Sequence, residues 1–216
     1  MMETKDAKNN ASGDIGGPWI FNSNFNGPYG PRDGNLGGVA TYVSTNPVLA
    51  PQGQIVTGFQ IEIVNNILFP VIQTRPLNEG IRTWQATNTS TPGDVFPQNL
   101  SGIGGTGGDT LYVDTTQLFC PQGQVIVGIG FTKSINRISP VIGCADPMNL
   151  SNITWVGNNV NTQDYFENGS NLSEFYVDLS SVSSDDNFAL TGFSFRQFGG
   201  NRIAFQLLET PLADVV

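Results

Sequence analysis

The 216-residue sequence contains no histidine and only two cysteines, Cys120 and Cys144. Without imidazole, the commonest general base and the commonest zinc or copper ligand are both missing, which excludes Ser-His-Asp, Cys-His and His-metal chemistry. Charge is sparse too: 12% of residues are charged, 18 acidic against 9 basic, for a net charge of −9. A chain of that sign repels phosphate backbones and anionic headgroups, so nucleic acid is not expected as a partner. The longest apolar runs are of strand length and are broken by Gly, Pro or charge, so membrane insertion is not expected either. No window repeats apolar residues at helical spacing beyond a turn or two. The opening run MMETKDAKNNASGDIGG lacks the apolar stretch of a secretory signal. That reads as a cytoplasmic protein, or one that reaches a surface or particle by a non-classical route.

What remains is turn-and-strand chemistry. There are 26 Gly and 13 Pro, with abundant Asn, Ser and Thr for turns, and 14 Phe, 5 Tyr and 3 Trp for pleated surfaces. Seven Asn-x-Ser/Thr sequons (Asn10, Asn88, Asn99, Asn149, Asn152, Asn168, Asn171) are read as a consequence of that composition. The length suits one domain. Residues 1–16 carry Lys5, Lys8 and little apolar bulk beyond Ile15, so they read as a flexible polar arm, with a single domain over 17–216.

Within that domain four blocks recur in order. Trp blocks are centred on Trp19, Trp84 and Trp155, and Tyr blocks on Tyr42, Tyr112 and Tyr176. Glycine strands follow (QIVTGFQIEI, QVIVGIGFTK, NFALTGFSFR), then closing strands at 66–72, 136–142 and 201–207. From Tyr to the strand glycine (Gly58, Gly128, Gly192) the distance is 16 residues each time, and from glycine to the Asn of the closing strand it is 8, 8 and 9. The last closing strand lacks a following Trp block, so the third sheet must take its Trp strand from the N-terminus. The expected fold is all-β: a β-prism of three four-stranded antiparallel sheets with a pseudo-threefold internal repeat, the third sheet closed by the N-terminal strand. A β-trefoil has shorter units.

Period-2 alternation assigns the faces. Ile55, Thr57, Phe59, Ile61 and Ile63 share one face, as do Val125, Val127, Ile129 and Phe131, and Ala189, Thr191, Phe193 and Phe195. Leu68, Ile72, Ile138, Ile142, Ile203, Phe205 and Leu207 complete the expected core. Pro70 and Pro140 need positions where a missing N–H faces no partner. The constant Tyr-to-Gly spacing places each Tyr opposite its glycine, covering bare backbone on the outward side.

Cys120 and Cys144 fall in one unit, where the others have Ala50 and Thr74, then Ser184 and Glu209. Their joint presence fits either a disulfide or two reduced thiols. Two carboxylates could in principle hydrolyse a glycoside, with Asp109, Asp114, Asp178, Asp185 and Asp186 as candidates. Asp114 and Asp178 are equivalent positions after the Tyr and read as strand-edge solubilising residues. Asp185-Asp186 lacks the ligand spacing of a calcium loop. No catalytic residue, metal or cofactor is assigned.

The run WIFNSNFNGPYGPRDG, through Asn24, Gly27, Pro28, Tyr29, Gly30 and Gly34, resembles the jacalin-related lectins, and IVTGFQ resembles that family's Gly-Phe strand. The threefold arrangement and the leading GGPW also resemble the vitelline membrane outer-layer protein I family, without its many cysteines. These resemblances imply a β-prism with a sugar-binding or coat-like role. The Gly-x-x-x-Asp loop of jacalin-type sites has no counterpart in the hairpin turns here. The candidate carbohydrate-binding residues are therefore those of the tips: Asn65 and Asn66; Asn136 and Arg137; Gly199, Gly200, Asn201 and Arg202. Arg and Asn suit hydroxyls or a sugar carboxylate. The expected function is a non-enzymatic, lectin-like carbohydrate-binding module, with glycans or copies of itself as partners. The alternative is a self-assembling structural subunit of a coat, capsid or fibre.

Overall fold

The computed structural model describes residues 19–21, 33–35, 42–43, 47–64, 67–78, 80–86, 111–134, 137–157, 165–168, 176–198 and 202–215. The polar arm at 1–16 lies outside them. The described residues form seventeen strands: β1 (Trp19–Phe21), β2 (Asp33–Asn35), β3 (Tyr42–Val43), β4 (Val48–Leu49), β5 (Gln54–Val64), β6 (Ile67–Pro76), β7 (Thr83–Ala86), β8 (Leu111–Asp114), β9 (Leu118–Phe119), β10 (Val125–Ser134), β11 (Arg137–Asp146), β12 (Asn149–Gly157), β13 (Tyr165–Asn168), β14 (Tyr176–Asp178), β15 (Val182–Ser183), β16 (Phe188–Phe198) and β17 (Arg202–Pro211). A 3-10 turn at Leu212–Asp214 follows.

The strands make three mainly antiparallel sheets, each built on a long hairpin: β5–β6, β10–β11 and β16–β17. The far edge of each closing strand (β6, β11, β17) has two partners. Its first residues pair in parallel with a Tyr strand (β3, β8, β14), and its later residues pair antiparallel with a Trp strand (β7, β12, β1). The expected pairing of the N-terminal Trp strand with the last closing strand is present, with Trp19 opposite Leu208 and Phe21 opposite Gln206. Pro70 and Pro140 fall in the gap between the two far-edge partners, where their missing N–H breaks no ladder.

The sheets hold five or six strands rather than four, because each also receives a short strand from elsewhere in the chain, and in two of them a further strand, β13 or β2, pairs with the Tyr strand. After each Tyr strand the chain turns and lays two residues on a different sheet. β4 pairs with β10, β9 with β16, and β15 with β5, so the exchange runs in a closed cycle. Each docked strand is extended by a backbone bond: Ala50 N–H to Val127 O (2.7 Å), Cys120 N–H to Thr191 O (2.8 Å) and Ser184 N–H to Thr57 O (2.8 Å).

This exchange overturns the expected Tyr–Gly pairing. Tyr42, Tyr112 and Tyr176 lie opposite Ile67, Arg137 and Arg202, while Gly58, Gly128 and Gly192 lie against Ser183, Leu49 and Phe119 of the docked strands. A Cβ on Gly58 would sit 2.8 Å from Val182 O, on Gly128 3.1 Å from Val48 O, and on Gly192 2.9 Å from Leu118 O. Glycine is therefore required at positions 58 and 192 by the close approach of a neighbouring backbone, and at 128 the fit is tight.

The face assignment also needs correction. The β5–β6, β10–β11 and β16–β17 ladders each shift register, between Val56 and Gly58, Ile126 and Gly128, and Leu190 and Gly192. An extra residue at a bulge reverses the alternation on one side of it. Val56, Phe59 and Ile61 consequently share the main core with Ile126, Ile129, Phe131, Leu190, Phe193 and Phe195. Ile55, Val125, Val127 and Ala189 belong instead to a second cluster, with Leu77, Leu150 and Leu212 packed against it. The closing-strand residues expected in the core are all there.

At the centre the three sheets meet through phenylalanines. Phe59 packs edge-on against Phe193 (centroids 4.9 Å), Phe205 (4.6 Å) and Phe131 (6.2 Å). All four rings are within 1% of full burial, which makes this one core shared by the three sheets. Asp114 and Asp178, expected at the surface, are buried at 4% and 1% exposure. Asp114 Oδ1 accepts from the Thr116 N–H (2.9 Å), and Asp178 Oδ1 from the Ser180 N–H (2.9 Å) and hydroxyl (2.6 Å). Each carboxylate folds the turn that carries the chain from a Tyr strand to the docked strand beyond it.

Candidate functional site

The candidate sugar-binding residues lie at the hairpin ends. Asn65, Asn66, Asn136, Gly199, Gly200 and Asn201 lie outside the described residues. Arg137 and Arg202 are the first residues of β11 and β17. Across the second sheet the order at this end is Ser134, Arg137, Tyr112, Glu167, and across the third it is Phe198, Arg202, Tyr176, Asn35. The first sheet has Val64, Ile67 and Tyr42 in the same places. An aromatic and a guanidinium residue thus occupy neighbouring register positions in two sheets, and an aromatic with an aliphatic residue in the other. The constant spacing of Tyr112 and Tyr176 from the strand glycines is their signal in the sequence, but their neighbours in the sheet are Arg137 and Arg202. A parallel pairing with residues 25 or 26 positions further along leaves no periodic trace.

The ties between sheets are each built differently. Cys120 and Cys144 form a disulfide, with Cα atoms 5.6 Å apart. Cys120 directly follows β9, which is docked on the third sheet, while Cys144 lies in β11 of the second, so the bond fastens the exchanged strand to the sheet that donates it. Just after the docked strand β15 the Asp185 N–H donates to Glu209 Oε2 of β17 (3.3 Å), and Glu209 is buried at 1% exposure. The segment after β15 is also held by two arginines of the first sheet's hairpin and its following loop. Arg75 Nη2 donates to Asp186 O (2.6 Å), and Arg82 donates through Nη1 to Ser184 O (2.8 Å) and through Nη2 to Asp186 Oδ1 (2.7 Å). Arg82 Nη1 further reaches Gln73 Oε1 at 3.2 Å.

No family model matches this chain, and no curated protein is similar to it at a significant level. Of the carboxylates considered for hydrolysis, Asp109 lies outside the described residues, and Asp114 and Asp178 are committed to turns in two different sheets. Asp186 is 92% exposed and ion-paired with Arg82. Among the described residues no three acidic or cysteine side chains gather at metal-binding distance. No described helix is long and apolar enough to cross a membrane.

Proposed function

We propose that the chain is a non-enzymatic, lectin-like carbohydrate-binding module built on a β-prism. In this reading the three sheets are copies of one repeating unit about a pseudo-threefold axis, and the hairpin ends carry the sugar sites. The observation that supports it is the register of Tyr112 beside Arg137 and of Tyr176 beside Arg202. Sugar rings present an apolar C–H face and a polar rim. An aromatic neighbour suits the first, and a guanidinium fork suits hydroxyls or a carboxylate at the second.

A glycan array that includes sialylated and uronic-acid structures tests this. The Arg137→Ala/Arg202→Ala protein should lose at least about tenfold in affinity, the equivalent of roughly 1.4 kcal/mol. Unchanged binding would remove the tips from the mechanism.

A second reading, a self-assembling structural subunit, draws support from Leu49 and Trp155, which leave an apolar patch on the outward face of the second sheet, 43% and 44% exposed. Light scattering on the Leu49→Ser/Trp155→Ser protein tests it. Wild-type particles larger than a monomer that dissociate in the variant support assembly, and a monomeric wild type rejects it.

A further inference from the structure

Each sheet carries a tryptophan at one common register position, opposite the residue that itself faces the strand glycine. Trp84 lies opposite Gln73 and so next but one to Gly58. Trp155 stands in that relation to Gly143 and Gly128, and Trp19 to Leu208 and Gly192. The three differ in their surroundings, which allows one to be singled out. Trp19 is buried at 2% exposure and packs edge-on against Phe119 at 5.9 Å. Trp155 is open, but its ring lies on bare glycine, 3.3 Å from the Cβ position of Gly143, and the side chains beside these glycines are Ile153 and Leu49. Trp84 is 39% exposed, and Gln73 opposite it joins a hydrogen-bonding group.

That group is Arg82 with Asp186. Arg82 uses Nη1 on Gln73 and Ser184 and Nη2 on Asp186, which leaves guanidinium N–H donors over from its five. Asp186 engages Arg82 through Oδ1, and its carboxylate is 92% exposed, so Oδ2 can accept. A partly exposed indole on the first sheet thus has a free acceptor and a spare donor grouped with its cross-strand neighbour Gln73. The Arg–Asp pair is neutral as a unit, and the chain's net charge of −9 disfavours anions.

We propose that Trp84, Arg82 and Asp186 form a second carbohydrate site, specific for neutral hexopyranosides. The apolar face of the sugar stacks on the indole. Of two vicinal hydroxyls, one donates to Asp186 Oδ2 and the other accepts from Arg82. Gln73 keeps Arg82 in place. The inference rests on the carbohydrate-binding reading above but on different residues, so the two can fail separately.

The test is isothermal calorimetry and saturation-transfer NMR with the methyl glycosides of glucose, galactose and mannose. The proteins are wild type, Trp84→Ala, Trp84→Phe, Asp186→Asn, Trp155→Ala and Arg137→Ala/Arg202→Ala. Binding of at least one glycoside should weaken about tenfold or more in Trp84→Ala, and several-fold in Asp186→Asn. It should survive largely intact in Trp84→Phe, which keeps an aromatic face, and stay within about twofold of wild type in Trp155→Ala. Failure of all three glycosides to bind wild type overturns the site, as does equal loss in Trp84→Ala and Trp155→Ala. Loss in the arginine variant alone overturns this site and leaves the tip reading standing. Should Trp84→Ala not fold, Trp84→Phe and Asp186→Asn still decide the matter, because unchanged affinity in Asp186→Asn refutes the role given to its carboxylate.

Discussion

Replacing Gly58 with alanine tests the strand exchange directly. The added methyl would lie 2.8 Å from Val182 O and 3.1 Å from Gln73 Cβ, with the Ser183 hydroxyl at 2.7 Å. The hydroxyl can rotate away, but the carbonyl belongs to backbone and can move only if β15 moves. Forcing a methyl into packed structure costs typically 1–3 kcal/mol. If β15 detaches, the bond from the Ser184 N–H to Thr57 O is also lost, at about 1 kcal/mol, together with much of the burial of Val182, which is 9% exposed. The expected destabilisation is therefore about 2–4 kcal/mol, or very roughly 5–15 °C in midpoint for a chain of this size. Guanidinium unfolding with the disulfide intact, followed by circular dichroism, measures it. Gly192→Ala should behave alike, since its methyl would meet Leu118 O at 2.9 Å. A loss below about 0.5 kcal/mol in both variants would show that no backbone presses on these glycines, and the exchange would be refuted.

Cys120→Ala/Cys144→Ala opens a cross-link spanning 24 residues, and should cost about 3.5 kcal/mol by loop-closure entropy; an unfolding midpoint that is the same with and without reductant would contradict this. Phe59→Ala removes the ring that contacts both Phe193 and Phe205, for a loss of about 3–5 kcal/mol in chemical denaturation, whereas Phe59→Leu should cost clearly less. Asp178→Ala removes the carboxylate to which the Ser180 N–H and hydroxyl donate and should cost about 2 kcal/mol, with Asp178→Asn recovering part of it. Equal stability of the Ala and Asn proteins would deny the turn-forming role. Arg82→Ala should cost about 1–3 kcal/mol, because it takes a donor from the buried Gln73 and Ser184 as well as breaking the solvated ion pair with Asp186; unchanged stability in the same assay would show that the arginine does not hold the segment after β15.

The long hairpins, the closing-strand core residues and the pairing of Trp19 with the last closing strand were all legible in the linear chain. Strands of ten or eleven residues carry enough alternation to be recognised, and constant spacing reveals equivalent segments wherever they pack. The two-residue strands β4, β9 and β15 were not legible, since two residues have no period and their partners lie on another sheet. The bulges were hidden for a related reason. QIVTGFQIEI and QVIVGIGFTK are apolar on both faces around the glycine, so a one-residue change of phase leaves no mark in the pattern. The candidate site divides along the same line. Asn136-Arg137 and Asn201-Arg202 stood out as repeated donors, but the tyrosines beside those arginines are neighbours only through parallel pairing. Trp19, Trp84 and Trp155 are equivalent in sequence, and packing alone separates them: Phe119 covers the first, glycines floor the third, and Arg82 with Asp186 gives the second a polar margin.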